Sequence, residues 1–219
     1  MLVEGSLVAT VFAWIGIVLG GLLLWFAVVL RAIKHVYQRP IPASAARFLN
    51  NPLRRWVQPP QKVVDWIGVG DGMTALEIGP GPGTFTFEAA KRLGERGRLH
   101  AIDIAPRLVA ELERKLQARG ITNVTAKVAS AYELPFPDAT FDRVFMMSVL
   151  GEIPDELRAL REVRRVLKDS GRVAIGELLP DPDYPRQKTV IRRCASAGFR
   201  LVSRHGGLMH YVLNFEKAS

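Results

Sequence analysis

Residues 75–85 read ALEIGPGPGTF and decide the fold, because a short apolar run passes directly into a loop of alternating glycine and proline. The apolar run, Met73–Ile78, has the length of a buried strand and ends at a turn signal. A pattern typical of a helix follows at Phe85–Leu93. The N-terminus of a helix favours a phosphate or a carboxylate, so this strand–loop–helix unit is predicted to bind a ligand.

Strands and helices alternate through the chain that follows this unit. Further strands are predicted at Arg98–Ile104, Asn123–Ala129, Phe141–Met147, Arg172–Leu178, Phe199–His205 and Met209–Phe215, and further helices at Pro106–Arg119, Asp155–Lys168 and Tyr184–Ala197. Regular alternation predicts an α/β fold with a doubly wound, Rossmann-like parallel sheet. The last two strands flank Gly206–Gly207, which predicts a C-terminal antiparallel hairpin and a sheet of seven strands.

The glycine loop and the end of the second strand carry the predicted ligand chemistry. Pro80 and Pro82 have no N–H, so the loop's donors are the amides of Gly79, Gly81, Gly83 and Thr84. Asp103 ends the second strand, where an acid can accept both hydroxyls of a ribose. The dinucleotide fingerprint G-x-G-x-x-G/A fails because Thr84 holds its sixth position, and the chain has no Gly-Lys-Ser/Thr run. The loop therefore disfavours an NAD oxidoreductase and a P-loop protein.

Three stretches together resemble one family. ALEIGPGPGTF is similar to the first motif, E/D-x-G-x-G-x-G, of class I S-adenosylmethionine-dependent methyltransferases. LPFPDATFDRVFMMSVL at residues 134–150 and REVRRVLKDSGRVAIGE at residues 161–177 resemble that family's later motifs. The resemblance covers roughly Asn51–Lys217 and is greatest to the ubiquinone/menaquinone-type and small phospholipid methyltransferases. It implies S-adenosylmethionine as the cofactor and the seven-stranded methyltransferase sheet as the fold.

The resemblance also implies roles for individual residues. The implied cofactor-binding residues are Glu77 for the loop and the methionine amino group, Gly79, Gly81 and Gly83 for the methionine and ribose, Asp103 for the ribose hydroxyls, Ile104 for the adenine face, Ser130 and Ala131 for the adenine edge, and Ser148 for the methionine. The family usually has an acid at the first position of the adenine-edge pair, where this chain has Ser130. The adenine contacts are therefore expected to depend on the backbone N–H of Ala131.

Methyl transfer from a sulfonium is an in-line displacement, and a base is needed only when the acceptor must first lose a proton. Related enzymes often carry histidine after the fourth strand, whereas this chain has Val149-Leu150-Gly151-Glu152. The catalytic residue stays unassigned, with Glu152 as the first candidate base and Tyr132, His205 and His210 behind it. The four histidines lack metal spacing and Cys194 is the single cysteine, so no metal is predicted.

The N-terminal end has the pattern of a membrane segment. No residue from Gly5 to Leu30 carries a charge, and a helix over Leu7–Leu30 would be roughly 36 Å long against a hydrocarbon core of about 30 Å. A cleaved signal peptide would need a basic start and a shorter core, and a buried core helix would alternate with polar residues. Residues 1–30 are therefore predicted to be a single transmembrane anchor. The basic residues that follow it place the catalytic domain in the cytoplasm.

Residues 31–64 are predicted to connect the anchor to the domain. They contain seven basic residues and no acidic one, although the whole chain has a net charge of only +9. Five prolines prevent a long helix, so the segment either lies on an anionic membrane surface or is a solvated linker. Nucleic acid is not predicted as a partner, because no recognisable module accompanies these charges.

Residues 65–219 then form the predicted methyltransferase domain, which is little larger than the bare fold. A domain of this size leaves the bilayer as a plausible wall of the acceptor site. The sequence therefore predicts a membrane-anchored methyltransferase acting on a lipophilic acceptor, with a phospholipid amine headgroup favoured over a quinone-type ring. The alternatives are a methyltransferase of small lipophilic thiols or amines, and a non-catalytic membrane-tethered ligand-binding protein.

Overall fold

The computed structural model describes residues 14, 16–18, 20–22, 25 and 58–218, apart from 180 and 182. The chain divides by its contacts into two units, Met1–Arg39 and Pro40–Ser219. The described residues of the first unit are helical and exposed. No helix within the described part of the chain is both long and apolar enough to cross a membrane. Most of the predicted anchor, and the connector as far as residue 57, lie outside the described residues and stay predictions.

The second unit alternates strands and helices as the sequence predicts. Its described elements are α1 (Pro60–Ile67), β1 (Thr74–Ile78), α2 (Thr86–Leu93), β2 (Arg98–Asp103), α3 (Pro106–Ala118), β3 (Val124–Val128), β4 (Phe141–Met147), a 3-10 helix (Leu150–Glu152), α4 (Glu156–Val166), β5 (Leu167–Leu178), α5 (Gln187–Ser196), β6 (Phe199–Gly206) and β7 (His210–Lys217).

Over residues 58–218, the strands form one seven-stranded sheet of order β3-β2-β1-β4-β5-β7-β6. The first five strands are parallel, and β7 runs antiparallel between β5 and β6. This confirms the predicted Rossmann-like sheet with its C-terminal hairpin. The strand order reverses between β1 and β4, so a crevice opens beyond the carboxyl ends of these two strands.

Helices cover both faces of the sheet and bury two apolar clusters. On one face α4 and α5 contribute Leu160, Val163 and Val190 to a core that also holds Tyr211. On the other face α1, α2 and α3 pack against the sheet. Because both faces are covered, the edge at the carboxyl ends of the parallel strands is left for ligand binding.

Helix α1 crosses residue 65, where the sequence analysis placed the start of the domain. Pro60 occupies its first turn, where a missing N–H costs nothing, and Gly68 ends it with φ of +75°. Val63, Val64 and Ile67 are buried in the core. The packing of this helix therefore adds residues 60–64 to the folded unit.

The junction of α4 and β5 differs from its predicted bounds. A helix to Lys168 and a strand from Arg172 were predicted, whereas the helix ends at Val166 and the strand begins at once with Leu167, paired with Phe141. Leu167 is completely buried, and a side chain at Gly171 would lie within 3 Å of it. Core packing thus overrides the helical pattern.

Candidate active site

A cleft of about 240 Å³ lies beyond the carboxyl ends of β1, β2 and β4. Eight of the ten predicted site residues line it: Gly79, Gly81, Asp103, Ile104, Ser130, Ala131, Ser148 and Glu152. Glu77 and Gly83 do not line it. Much of the remaining lining is apolar, including Phe85, Leu108 and Met147. The fold therefore brings residues that follow four strands, β1, β2, β3 and β4, into one mostly apolar cleft.

The three glycines of the loop have different surroundings, although all have positive φ. A Cβ on Gly79 would lie 2.5 Å from a methyl group of Val149, whereas one on Gly81 meets no described atom within 4 Å. A Cβ on Gly83 would lie 2.8 to 2.9 Å from Phe87 and Leu112. Gly79 therefore permits close packing with the β4 end of the cleft, and Gly83 permits packing on α2 and α3.

The loop does not present the row of free donors expected from the sequence. The Gly79 N–H donates to the Ile102 carbonyl at 2.8 Å, and the Gly83 N–H donates to the Pro80 carbonyl at 3.0 Å. The Gly81 amide hydrogen-bonds to the Asp103 carboxylate. The left-handed turns fold these amides back onto the protein, so the loop is not a phosphate cradle. A cofactor that carries a sulfonium instead of phosphate groups fits such a loop.

Asp103 ends β2 and is held in place by backbone amides. Its Oδ1 accepts a hydrogen bond from the Ala105 N–H at 2.9 Å. Burial raises the pKa of this carboxyl, and hydrogen bonds from the amides of Ala105, Gly81 and Ile104 oppose the rise. The next residue, Ile104, exposes its apolar side chain at the cleft. A hydrogen-bond acceptor beside an exposed apolar surface matches a ribose next to an adenine.

Glu77 lies buried behind the loop, where the Thr86 hydroxyl donates a hydrogen bond to its Oε2 at 2.6 Å. Burial raises the pKa of Glu77 to about 8, the Thr86 hydrogen bond opposes the rise, and the charge of Asp103 adds to it. A cation brought close to this carboxyl would favour its ionised form.

The loop after β3 forms the opposite wall. The Ser130 hydroxyl accepts a hydrogen bond from the Tyr132 N–H at 3.2 Å, and the Tyr132 hydroxyl accepts one from the Asp155 N–H at 3.0 Å. Arg165 donates to the carbonyls of Leu134 and Phe136 farther along the loop. Tyr132 thus lines the cleft while its hydroxyl ties the loop to the start of α4.

Ser148 and Glu152 form the end of the cleft next to β4. Ser148 has a φ of +59°, which is uncommon for a residue with a side chain, and its N–H donates to the Gly176 carbonyl at 2.7 Å. Backbone strain of this kind often marks a functional position. The 3-10 helix then carries Glu152 to the lining.

The sequence analysis did not identify Glu177, a buried acid that directly precedes Leu178, the last residue of β5. Burial raises the pKa of Glu177 well above its usual range, and the charges of Asp181, Glu152, Glu156 and Asp183 raise it further. Its Oε1 has no hydrogen-bond partner among the described residues. The residue falls within the third family-like stretch, but only the fold shows that it is buried beside the acids near the cleft.

The two histidines considered as bases lie elsewhere. The rings of His205 and His210 stack on Trp66 with centroids 5.7 and 5.4 Å away, and neither lines the cleft. Burial and the nearby Lys62 lower the pKa of His210. Cys194 is buried, and burial raises its pKa to about 12. No group of three or more His, Cys, Asp or Glu side chains in the described part is arranged to hold a metal ion.

The strand order, the glycine loop after β1 and the acid after β2 agree with the fold that the sequence resemblance implies, that of class I S-adenosylmethionine-dependent methyltransferases. Residues 75–171 match the family model described as a methyltransferase domain. Over these residues the chain therefore has a methyltransferase domain, and its fold and family imply S-adenosylmethionine as the cofactor.

Particular relatives agree with this class. The ubiquinone/menaquinone biosynthesis C-methyltransferase of Idiomarina loihiensis is 40% identical over 115 residues, 52% of this chain and 46% of that protein. The demethylmenaquinone methyltransferase of Geobacillus stearothermophilus is 32% identical over 118 residues, 54% of this chain and 50% of that protein. The chain thus spans about half the length of these curated relatives. The crystal structure of a SAM-dependent methyltransferase from Aquifex aeolicus has a TM-score of 0.77 and 26% identity, covering 82% of this chain and 100% of its own.

Proposed function

We propose that the protein transfers the methyl group of S-adenosylmethionine to a lipophilic acceptor that enters the cleft beside β4 and β5. The observation that carries this proposal is one continuous cleft with Asp103 at one end and Ser148 and Glu152 at the other. Bound S-adenosylmethionine supplies a methyl group on a positively charged sulfur. Holding an acceptor in line with that methyl group can supply roughly 7–11 kcal/mol of the acceleration.

The residues at the cofactor end have assigned parts in this proposal. Asp103 accepts hydrogen bonds from the ribose hydroxyls, and Ile104 covers the adenine. The backbone of Gly79 and Gly81 gives room to the methionine and ribose, and Glu77 stabilises the methionine amino group from behind the loop. Gly83 supports the loop by packing. Ser130 and Ala131 face the adenine edge, and Ser148 faces the methionine.

At the acceptor end, Glu152 is the proposed proton acceptor. The acceptor atom uses an electron pair to form the new bond to the methyl carbon, and the carbon–sulfur pair returns to sulfur. Any proton that the acceptor must release passes to the Glu152 carboxylate. Glu152 lines the cleft and lies close enough to the buried Glu177 for its charge to raise the pKa of Glu177.

A hydroxylated, quinone-type ring is the first candidate acceptor, because relatives that match the chain are ubiquinone and menaquinone C-methyltransferases by name. A phospholipid amine headgroup, which the sequence analysis favoured, is the second. The acids Glu152, Asp181 and Asp183, whose charges act on the buried Glu177, support it, because their negative potential attracts an ammonium group.

The membrane location of the protein belongs to the same proposal. No charge occurs from Gly5 to Leu30, and seven basic residues follow before Asp65. We infer a single transmembrane anchor whose following chain and catalytic domain lie in the cytoplasm, with the basic connector at the membrane surface. An anchor of this kind raises the effective concentration of an acceptor dissolved in the same bilayer.

The test incubates membranes that contain the full chain with S-adenosylmethionine labelled in its methyl group, and separates the products by extraction. Label in a lipophilic ring fraction supports the first acceptor, and label in phospholipid supports the second. Label confined to water-soluble products defeats a lipid acceptor. Asp103→Ala should abolish labelling, whereas Asp169→Ala, which removes an exposed acid paired with Lys217 at the sheet's amino edge, should not. Absence of cofactor binding by calorimetry in the unmodified chain would defeat the enzymatic proposal in favour of a tethered non-catalytic protein.

A further inference from the structure

Large apolar side chains that remain exposed are concentrated at one edge of the sheet. Within residues 58–218 the structure exposes Ile104 (62%), Val128 (46%), Val202 (37%), Leu208 (75%) and Met209 (50%). All except Val202 lie at the carboxyl edge, where the cleft opens. Ile104 lines the cleft and faces the proposed adenine position, so bound cofactor would bury its side chain. Leu208 and Met209 have no such cover.

The turn Gly207–Met209 joins β6 to β7 at the carboxyl edge of the sheet, the edge at which the cleft opens. His210, the first residue of β7, pairs with Leu178 at the end of β5. The Leu179 N–H donates to the Met209 carbonyl at 2.7 Å, and the Tyr184 hydroxyl donates to the Leu208 carbonyl at 2.8 Å. The turn is therefore fixed to the same sheet edge as Glu177.

The carbonyl groups of this turn are hydrogen-bonded within the protein. Besides the two carbonyls above, the Gly207 N–H donates to the His210 carbonyl at 2.8 Å. Backbone groups that are satisfied within the protein lose little on leaving water, whereas unsatisfied ones cost several kcal/mol each in lipid. The three carbonyls of the turn thus keep their hydrogen bonds within the protein when the two apolar side chains enter the headgroup boundary.

Helix α1 packs beside the hairpin of β6 and β7. Trp66 stacks on His205 and His210 of the hairpin, and Lys62, one turn earlier, lies 5.1 Å from the Trp66 ring. Just after the helix, the Gly68 carbonyl accepts a hydrogen bond from Arg143 in the first half of β4. Lys62, near the start of the helix, therefore lies on the side of the hairpin, and the helix ends towards the first half of β4.

Exposed basic side chains accompany the turn. Lys62 lies on the α1 side, and Arg186 and Lys188 lie at the start of α5, whose Gln187 donates to the Gly207 carbonyl. Basic residues of this kind attract an anionic leaflet while Leu and Met side chains sink into the headgroup boundary. The combination favours a lipid surface over an apolar protein partner.

We propose that Leu208 and Met209 dock the domain onto an anionic bilayer and hold the acceptor end of the cleft against it. This deepens the proposed function and rests on it for the acceptor's location. A lipophilic acceptor then passes from the bilayer over the turn into the cleft, and the path does not cross water.

Site-specific labelling tests the docking directly. Because Cys194 is the single cysteine and is buried, a Cys194→Ala background allows one label at Leu208→Cys and a matched one at Val202→Cys in the same hairpin. The full chain is reconstituted into vesicles of phosphatidylcholine with phosphatidylglycerol. An environment-sensitive label at 208 should shift to shorter wavelength and be quenched by brominated lipid several-fold more than the label at 202. Equal spectra and equal quenching at both positions overturn the proposal. A spectral shift of the label at 208 that also occurs in detergent and grows with protein concentration likewise overturns the proposal. That result would mean that the turn binds a second copy of the chain instead of a bilayer.

An activity comparison separates this proposal from the proposed function. Leu208→Asp combined with Met209→Asp should lower methylation of an acceptor embedded in anionic vesicles by about tenfold or more. Methylation of a short-chain, water-soluble analogue and the Kd for S-adenosylmethionine should change less than twofold, and Val202→Asp should change none of these. Loss of all activities in parallel with an unchanged Kd contradicts a docking role. A wild-type chain whose 208 label enters the bilayer but which methylates no lipid refutes the proposed function and leaves docking intact.

Discussion

Gly79→Ala is the sharpest test of how the glycine loop is built. Gly79 has φ of +71°, and an added Cβ would lie 2.5 Å from one methyl group of Val149 and 3.1 Å from the other. Because valine branches at Cβ and both methyl groups face the glycine, rotating the side chain does not remove the overlap. The substitution therefore imposes two separate costs, an unfavourable backbone conformation and a steric clash.

The two costs can be estimated separately. A left-handed conformation costs a residue with a side chain about 1–2 kcal/mol, and overpacking of this kind adds about 1–3 kcal/mol. Gly79→Ala should thus lower the free energy of unfolding by about 2–5 kcal/mol. Gly81→Ala is the matched control, because Gly81 also has positive φ, at +52°, but its Cβ would meet no described atom within 4 Å. It should cost only the conformational part, about 1–2 kcal/mol.

Urea unfolding of the full chain, in one detergent throughout, measures these differences, and calorimetry with S-adenosylmethionine measures cofactor affinity. In a Val149→Ala background the clash is gone, so the cost of Gly79→Ala should fall to that of Gly81→Ala. The double-mutant cycle should give a coupling of about 1–3 kcal/mol between residues 79 and 149. Equal costs for the two glycines in the unmodified background, or a coupling near zero, would refute the proposed close packing of the loop on the end of β4.

Three further predictions concern the acids around the cleft. Asp103→Asn keeps the size of the side chain but removes its charge. It should weaken S-adenosylmethionine binding about 10- to 100-fold, measured by calorimetry, with little change in the Tm of the cofactor-free protein. An unchanged affinity would show that Asp103 does not bind the ribose. The pKa of Glu77 is about 8 in the folded protein, against an ordinary value of 4.5. As pH rises between these values, Glu77 loses its proton in the unfolded state but keeps it in the folded state. The free energy of unfolding therefore falls as pH rises through this range. Glu77→Gln should flatten that fall in urea titrations at pH 5 and pH 8, and the same slope in both proteins would contradict a neutral buried Glu77. Glu177→Gln should raise the Tm more at pH 8 than at pH 5. The glutamine amide stays neutral at both pH values, whereas ionisation of the buried Glu177 carboxyl at high pH destabilises the folded protein. An equal change in Tm at both pH values would contradict this reasoning.

The sequence predicts the sheet well because each parallel strand is a short apolar run bounded by turn residues. The bounds of β4 were predicted without error, and the other strands differ by at most a few residues, apart from the start of β5. That exception has a physical cause, since Leu167 continues a helical pattern but gains more by pairing with Phe141 at the sheet. Helix α1 was hidden for the opposite reason, because its prolines at 59 and 60 resemble a linker but suit a helix start.

The residues of the loop show where a sequence motif stops being informative. Gly79, Gly81 and Gly83 are the same letter at equal spacing, yet one packs on Val149, one borders the cleft and one packs on two helices. Spacing alone predicts that their amides all face a ligand. The hydrogen bonds of Gly79 and Gly83 to carbonyls of the protein exclude that, because each N–H can make only one good bond.

The net charge of the whole chain does not predict the local charge around the cleft, because it sums over regions of different composition. The chain has a formal net charge of +9, but the acids Glu152, Glu177, Asp181 and Asp183 come together near the acceptor end of the cleft. In the sequence they lie up to 31 residues apart, and only the turn after β5 and the 3-10 helix after β4 bring them together. Both the sulfonium of the cofactor and an ammonium acceptor are cations, so the local potential favours them although the protein as a whole is basic. In the proposed docking, the basic residues beside the turn Gly207–Met209 would face the anionic lipid, and the acids would face the cationic reactants. One edge of the sheet would then meet the opposite electrostatic needs of the membrane and of methyl transfer.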